Sequence, residues 1–436
     1  MADSLFSAAL SVVRRLRERG HEACFAGGCV RDRLLGRPVA DYDVATDALP
    51  DSVIAAFPRT VEVGKAFGVV TVLVGPHAVE VATFRSDHSY RDGRRPEGVT
   101  FSDLRTDVER RDFTINAMMW DPVEDRVIDL VGGRADLASR TIRAVGDPER
   151  RFSEDKLRIL RAVRFAATLD FAIEPATASA IRRFAPEILQ VSWERIAAEL
   201  KKILVAPRRA EGMELMRTLG LLAPVLPECE ATVGVPQPPE FHPEGDVWTH
   251  TKLALRALES PSFVVALATL LHDVGKPRTI EHADRIRFNG HDKVGAEMAA
   301  EICDRLRLSR EEKEAVAWIV LKHLAFLDAD RMRKSTLKRL FASPLIEELF
   351  QVARADAIGS MAEPATVERM RALRASLPPD VIKPPPLLRG ADLIAMGFAP
   401  GPLFKEILRE VEDAQLEGRV RTAEEARELV RARWSR

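Results

Sequence analysis

Short apolar runs of strand type occupy residues 21–27, 41–45, 69–75 and 78–84, and from about Ser153 onward the spacing becomes helical and stays so. A side-chain period of two marks strands and one of about 3.6 marks helices. This single change of period restricts the chain to an α+β head followed by all-α modules. A helix over 5–19 precedes the first strand. The polar stretch 85–99 interrupts the strand-forming part and predicts a long, mobile loop.

Proline marks the boundaries. Residues 234–244 hold Pro236, Pro238, Pro239 and Pro243 and predict a linker, and a second proline group spans 378–386. The expected division is a head over 1–145, a neck and body over 146–233, a helical domain over 245–360 and a helical tail over 386–436. A length of 436 residues suits such a multi-domain chain. With 65 Lys+Arg against 66 Asp+Glu, no global positive field announces nucleic acid, so any such contact needs a local basic face. Cys24, Cys29, Cys229 and Cys303 lack CxxC spacing and read as reduced thiols of a cytoplasmic protein. Arg14, Arg15 and Arg17 break the only N-terminal apolar stretch, and no run approaches the ~20 residues of a membrane span, so no membrane partner is expected.

Chemistry concentrates first around Gly27-Gly28-Cys29-Val30-Arg31-Asp32 and Asp41-Tyr42-Asp43. The glycine pair leaves room for a phosphate. Asp41 and Asp43, two apart on a strand, would face one side and hold Mg²⁺. Metal-assisted transfer of a nucleotide is the reaction such a pair serves. Glu80, within an apolar run, would supply a third carboxylate. An Asp-x-Asp pair is also common in turns, and the preceding glycine and arginine residues favour the metal reading. Arg110 and Arg111 suit phosphate oxygens, Asp112 a ribose hydroxyl, and Asn116 a sugar or triphosphate, although Arg-Arg-Asp alone would pass for a charged helix start.

Further on, Asp155 and Arg158 stand three apart on an expected helix, on one face. An acceptor beside a donor complements N4 and N3 of cytosine or N6 and N1 of adenine; guanine and uracil present the reverse. The pair would therefore choose C and A without a template, each buried mismatch costing roughly 1–3 kcal/mol. In isolation the same spacing is an ordinary surface ion pair.

Taken together, these motifs, with Tyr90-x-Asp92-Gly93-Arg94-Arg95-Pro96, Asp129-Leu130-x-Gly132-Gly133 and Glu154-Asp155-x-x-Arg158-x-x-Arg161, follow the order seen in class II tRNA nucleotidyltransferases. The chain resembles these CCA-adding enzymes, relatives of bacterial poly(A) polymerases, over residues 20 to about 230. The resemblance implies a polymerase-β-like head with a five-stranded mixed or antiparallel sheet, then helical neck and body. It implies Mg²⁺ on Asp41 and Asp43, and the residue reading adds Glu80 as a third catalytic carboxylate. Nucleotide contacts would come from Gly27, Gly28, Arg31, Arg111, Asp112, Asn116, Asp155, Arg158 and Arg161. A flexible loop containing Asp92 and Arg94 would support the change from CTP to ATP, with tRNA as the partner. Two alternatives share these residues: a poly(A) polymerase, and a phosphohydrolase whose head only binds RNA.

The second helical block holds His250, His272-Asp273, His291, His323 and Asp356, with His282 left over as a loop residue. Imidazoles and carboxylates on facing helices suit a divalent transition metal. A single histidine ending an apolar helix is usually a core residue, but this series resembles the HD phosphohydrolase superfamily in order. That resemblance implies His250, His272, Asp273 and Asp356 as ligands, with His291 and His323 for a second metal. It also implies phosphohydrolase activity on 2′,3′-cyclic phosphates, 2′-nucleotides or phosphates at RNA ends.

Overall fold

A computed structural model describes residues 2–87, 99–282 and 285–434 of the chain. Two compact units emerge, Met1–Glu230 and Ala231–Arg436.

In the first unit the apolar runs form strands close to where the period of two places them: β1 (Ala23–Ala26), β2 (Asp43–Thr46), β4 (Val69–Val74) and β5 (His77–Thr83). Three strands are additional: β3 (Thr60–Val61), β6 (Met119–Asp121) and β7 (Arg126–Ile128). The mixed sheet runs β3-β4-β5-β2-β1-β6-β7, seven strands in place of the five expected. The surplus is the pair of edges, two and three residues long, too short to show a period. Among the described residues of this sheet, only β2 and β5 pair in parallel. Along β5, Val79, Val81 and Thr83 are buried while Glu80 is exposed, the alternation a one-sided core demands. The N-terminal helix Ala2–Glu18 buries Val12, Val13 and Leu16. The expected loop over 85–99 is zipped at its base, where Arg85–Asp87 pairs antiparallel with Val99–Phe101. Asp92 and Arg94 lie outside the described residues.

Helices then take over: Pro148–Glu154, Leu157–Leu169, Pro175–Phe184, Trp193–Leu204 and Arg209–Thr218. Among the described residues of the second unit the regular elements are helices, apart from the short strands Glu281–His282 and Ile286–Arg287, which pair antiparallel. Val247–Ala257 starts at Asp246, whose carboxylate accepts from the Thr249 N–H, and Phe263–Leu271 starts at Ser262 in the same way. Buried almost throughout, Phe263–Leu271 is an apolar core helix that delivers His272 and Asp273 at its end. The tail helices Pro402–Glu417 and Ala423–Trp434 close over their own apolar cluster of Ile407, Val411, Ala426 and Val430.

The residues 234–244 are not a linker. Val247 N–H donates to the Val235 carbonyl, Gln237 is buried, and the Glu244 side chain is fully enclosed. Proline content reports a stiff backbone, and here the stiff segment is packed down by polar groups whose burial the sequence does not display.

Candidate functional site

Strand register builds the first site. Ala26 pairs with Asp43, so the Gly27-Gly28 turn begins beside the start of β2; Val44 pairs with Val81, which sets Glu80 level with Asp43. Gly27 has φ 77° and its absent Cβ would lie 3.2 Å from Arg111 Nη1, so only glycine lets the turn and the guanidinium approach. Helix Gly28–Leu34 starts directly after it. Asp41 precedes β2 rather than lying within it, yet Asp41 and Asp43 line one cavity. Burial pushes the Asp43 carboxyl up to about 6, and the negative charges of Asp41 and Glu80 push in the same direction. Three oxygen donors that repel one another in this way fit a hard divalent cation.

That cavity, about 710 Å³, also gathers Gly27, Gly28, Arg31, Arg111, Asp112, Asn116, Asp155, Arg158 and Arg161. Glu80 is not among its lining residues; its link to the site is through Asp43. Arg31 is held by Asp32 through two bonds of 2.9 Å and donates to Asn116 Oδ1 at 2.7 Å. Arg110 and Arg111 both grip Asp107, a buried carboxylate in the short helix Leu104–Glu109 that sequence reasoning did not single out. Burial opposes the charge of Asp107, but the two guanidiniums hold its carboxyl below the usual range. The Asp129-x-x-Gly132-Gly133 motif serves as a support. Asp129 accepts from the Gly133 and Arg134 N–H groups, and a Cβ on Gly133 would stand 2.3 Å from the Thr114 carbonyl, in the turn that carries Asn116.

Two expectations change. Asp112 is buried and fully engaged: Oδ1 accepts from Phe113 N–H and Asn116 Nδ2, and Oδ2 from Arg161 Nε at 2.7 Å. It orders Arg161 and Asn116 instead of awaiting a ribose hydroxyl. Asp155 and Arg158 do not share a helix face. The helix breaks at Asp155 (φ −143°, extended) and restarts at Leu157, whose N–H donates to Asp155 Oδ1. Asp155 Oδ2 accepts from Arg195, while Arg158 donates to Glu154, Arg151 O and Arg110 O. Acceptor and donor therefore reach one cavity from separate supports. A short polar side chain able to cap the next helix was the sequence signal for that break.

In the second unit, His250, His272, Asp273, His291, His323 and Asp356 converge. His272 and His323 sit at the ends of Phe263–Leu271 and Arg310–Lys322, and each Nδ1 lies 2.7 and 2.6 Å from a last-turn carbonyl, Thr269 O and Val320 O. His291 Nδ1 lies 2.7 Å from Phe288 O. A carbonyl only accepts, so each Nδ1 carries the hydrogen and each Nε2 lone pair faces inward. His250 Nδ1 likewise donates to Glu244 at 2.9 Å. The Nε2 atoms of His250 and His272 are 3.0 Å apart, those of His291 and His323 3.3 Å. Asp273 stands between the pairs, Oδ2 3.2 Å from His272 and Oδ1 3.4 Å from His291. Asp356 Oδ1 is 3.0 Å from His250 Nε2. Converging lone pairs around a shared carboxylate need a proton or a cation between them, and this donor set fits divalent transition metals. Sequence reasoning missed Glu244 and His242, which lie in the proline-rich segment taken for a linker. The adjoining cavity of about 550 Å³ is lined by Phe241, Phe288, Phe326 and Leu327 beside Lys276, Arg285 and Arg287.

Burial opposes a charge on His250, but hydrogen bonds to Asp356 and Glu244 override it and push the imidazole up to about 9. Burial, with His272 alongside, holds His323 down to about 4. In the metal-free protein the His250 contribution to stability is complete below about 6.5 and is lost as pH rises through about 9. Metal uptake must expel that proton, so Mn²⁺ or Zn²⁺ should bind about tenfold more tightly per pH unit between pH 6.5 and pH 9. Equilibrium titration at three pH values measures this, and a flat profile contradicts it.

No helix among the described residues is long and apolar enough to cross a membrane. Residues 23–143 match the family described as the poly A polymerase head domain, 170–232 the probable RNA and SrmB binding site of polymerase A, and 246–361 the HD domain. A CCA-adding enzyme of Geobacillus stearothermophilus is 47% identical over 219 residues, covering 50% of the chain and 54% of that relative. One from Enterococcus faecalis is 47% identical over 209 residues, covering 48% and 51%. The chain thus spans about half the length of the curated relatives it matches. Among solved structures, the Bacillus stearothermophilus CCA-adding enzyme in complex with CTP superposes with TM-score 0.75 at 31% identity, covering 98% of both chains. The Thermotoga maritima CCA-adding enzyme complexed with tRNA shares the fold, with TM-score 0.61 at 23% identity over 97% of this chain and 93% of that one.

Proposed function

The chain belongs to the CCA-adding enzymes, and on that premise we propose that it adds CCA to tRNA 3′ ends from CTP and ATP without a template. The observation that carries this reading is the meeting of Asp41 and Asp43 with Asp155 and Arg158 in one cavity. Asp41 and Asp43, with Glu80 behind them, would hold Mg²⁺, which when bound neutralises the triphosphate and activates the attacking hydroxyl. The chain's own residues supply the rest. The Gly27-Gly28 turn admits the phosphates, and Arg31, Arg111 and Arg161, each braced by a carboxylate, spread positive charge along them. Asp155 and Arg158 choose the base, with Asn116 on the sugar side. The proposed division is a head over 1–145, neck and body over 146–233, the HD domain over 245–360 and the tail over 386–436, with Asp92 and Arg94 in the loop that serves the change to ATP. Four free, buried cysteines fit a cytoplasmic setting.

For the second unit we propose a metal-dependent phosphohydrolase acting on 2′,3′-cyclic or 2′-phosphates, supported by the inward-facing imidazoles around Asp273 and the cationic cavity beside them. His250, His272, Asp273 and Asp356 would hold one transition metal, and His291 and His323 with Asp273 a second.

The test of the transferase is a tRNA ending at the discriminator base. CTP alone should extend it by two nucleotides, CTP with ATP by three, and extension should then stop. Long A tails, or arrest after CC with both nucleotides present, would overturn the reading.

A further inference from the structure

We propose that Arg195 is the positioning residue that makes Asp155 an immobile acceptor, and that through it the body helix Trp193–Leu204 enforces rejection of uracil and guanine. The inference rests on Asp155 and Arg158 as the base selector.

Asp155 sits in extended backbone between two helices, so no helical turn fixes its side chain. Two outside donors do. Leu157 N–H binds Oδ1 at 3.0 Å and Arg195 Nη2 binds Oδ2 at 2.8 Å. The first is local and would follow the side chain wherever this short segment went. The second comes from 40 residues away, and it ties the carboxylate plane to a different element. Arg195 lines the same cavity as Asp155 and Arg158, and its Nη1 is buried with no hydrogen-bond partner among the described residues. A buried guanidinium nitrogen left without a partner is costly unless something in the cavity accepts from it, so this donor is left for the bound nucleotide.

The chemistry follows from what rejects the wrong base. An ionised carboxylate only accepts. Held still, it meets the amino group of cytosine or adenine but opposes O4 of uracil and O6 of guanine with oxygen against oxygen. Released, it turns away and the opposition disappears, while Arg158 stays in place on its own supports, Arg110 O, Arg151 O and Glu154. Arg195 therefore governs discrimination more than overall rate. One turn along the same helix, Glu199 pairs with Arg164 at 3.0 Å. It fastens the helix to the same neighbour without touching Asp155 and serves as a control.

The experiment measures kcat/KM of the full chain for CTP, UTP, ATP and GTP on tRNA primers. In Arg195→Gln the CTP:UTP and ATP:GTP preferences should each fall by about tenfold or more, and Arg195→Lys should restore part of the loss. Combining Arg195→Gln with Asp155→Ala should lower the preferences no further than Asp155→Ala alone. Glu199→Gln should lower all four values together. If Arg195→Gln lowers all four in proportion, as Glu199→Gln does, Arg195 is merely structural and the proposal is overturned. If Asp155→Ala itself leaves the preferences of the wild type intact, the selector reading falls, and this inference with it.

Discussion

Asp43→Asn should reduce nucleotide addition by about 10³-fold or more, since each lost factor of ten needs only about 1.4 kcal/mol and a metal ligand supplies several. The substitution keeps the shape of the side chain and removes the charge. Asp43 is the inner carboxylate of the set, paired in register with Ala26 next to the glycine turn, so no neighbour replaces it. The same change should not harm the fold. Burial, with Asp41 and Glu80 nearby, pushes the Asp43 carboxyl up to about 6, which means that the folded state prefers this group protonated. A carboxyl raised in the folded state is unfavourable above that pH and relieved as pH falls from about 6 toward the unfolded value of 3.8. At pH 7.5 without metal, Asp43→Asn should therefore melt at or above the temperature of the wild type. Primer extension and a thermal melt on one sample separate the two effects. Extension within tenfold of wild type would remove Asp43 from the metal site, and a lower melting temperature would contradict the electrostatic account.

The sheet and the carboxylates were legible because both depend on local period: apolar residues two apart form strands, and Asp41 and Asp43 stand where one of them begins. The imidazole series was legible because its order along the chain resembles that of the HD phosphohydrolases. What escaped was polar burial. Asp107 was not singled out, yet it braces Arg110 and Arg111. Glu244 lay among prolines that signalled a linker, yet it fixes the tautomer of His250. Asp112 looked free and is saturated by Arg161, Asn116 and Phe113. In each case the residue type was visible, while its burial was set by tertiary packing. Asp155 shows the opposite failure, in which a regular period of three was extended through a helix break that one capping side chain was enough to make.

Asp273→Asn should abolish hydrolysis by the second unit while leaving CCA addition in place below the melting temperature. Asp273 is the residue that both imidazole pairs share. Its Oδ2 faces His272 and His250 at 3.2 and 3.7 Å, and its Oδ1 faces His291 and His323 at 3.4 and 3.8 Å. It is also the charged partner of Lys276, itself buried, at 2.7 Å. Burial opposes the charge of Asp273, but His272 and Lys276 keep its carboxyl well below the usual range. Replacing the carboxylate by a neutral amide takes the opposite charge from buried Lys276, and breaking a buried ion pair from one side costs about 3–5 kcal/mol. The variant should thus lose metal and melt at a lower temperature together. Metal stoichiometry separates the shared ligand from the others: Asp273→Asn should retain no tightly bound transition metal, whereas His323→Ala should lose one equivalent and keep the other on His250, His272, Asp273 and Asp356. Equal metal content in the two variants would mean that Asp273 does not join two sites. Hydrolysis of a 2′,3′-cyclic nucleotide that survives Asp273→Asn would place that reaction elsewhere in the chain.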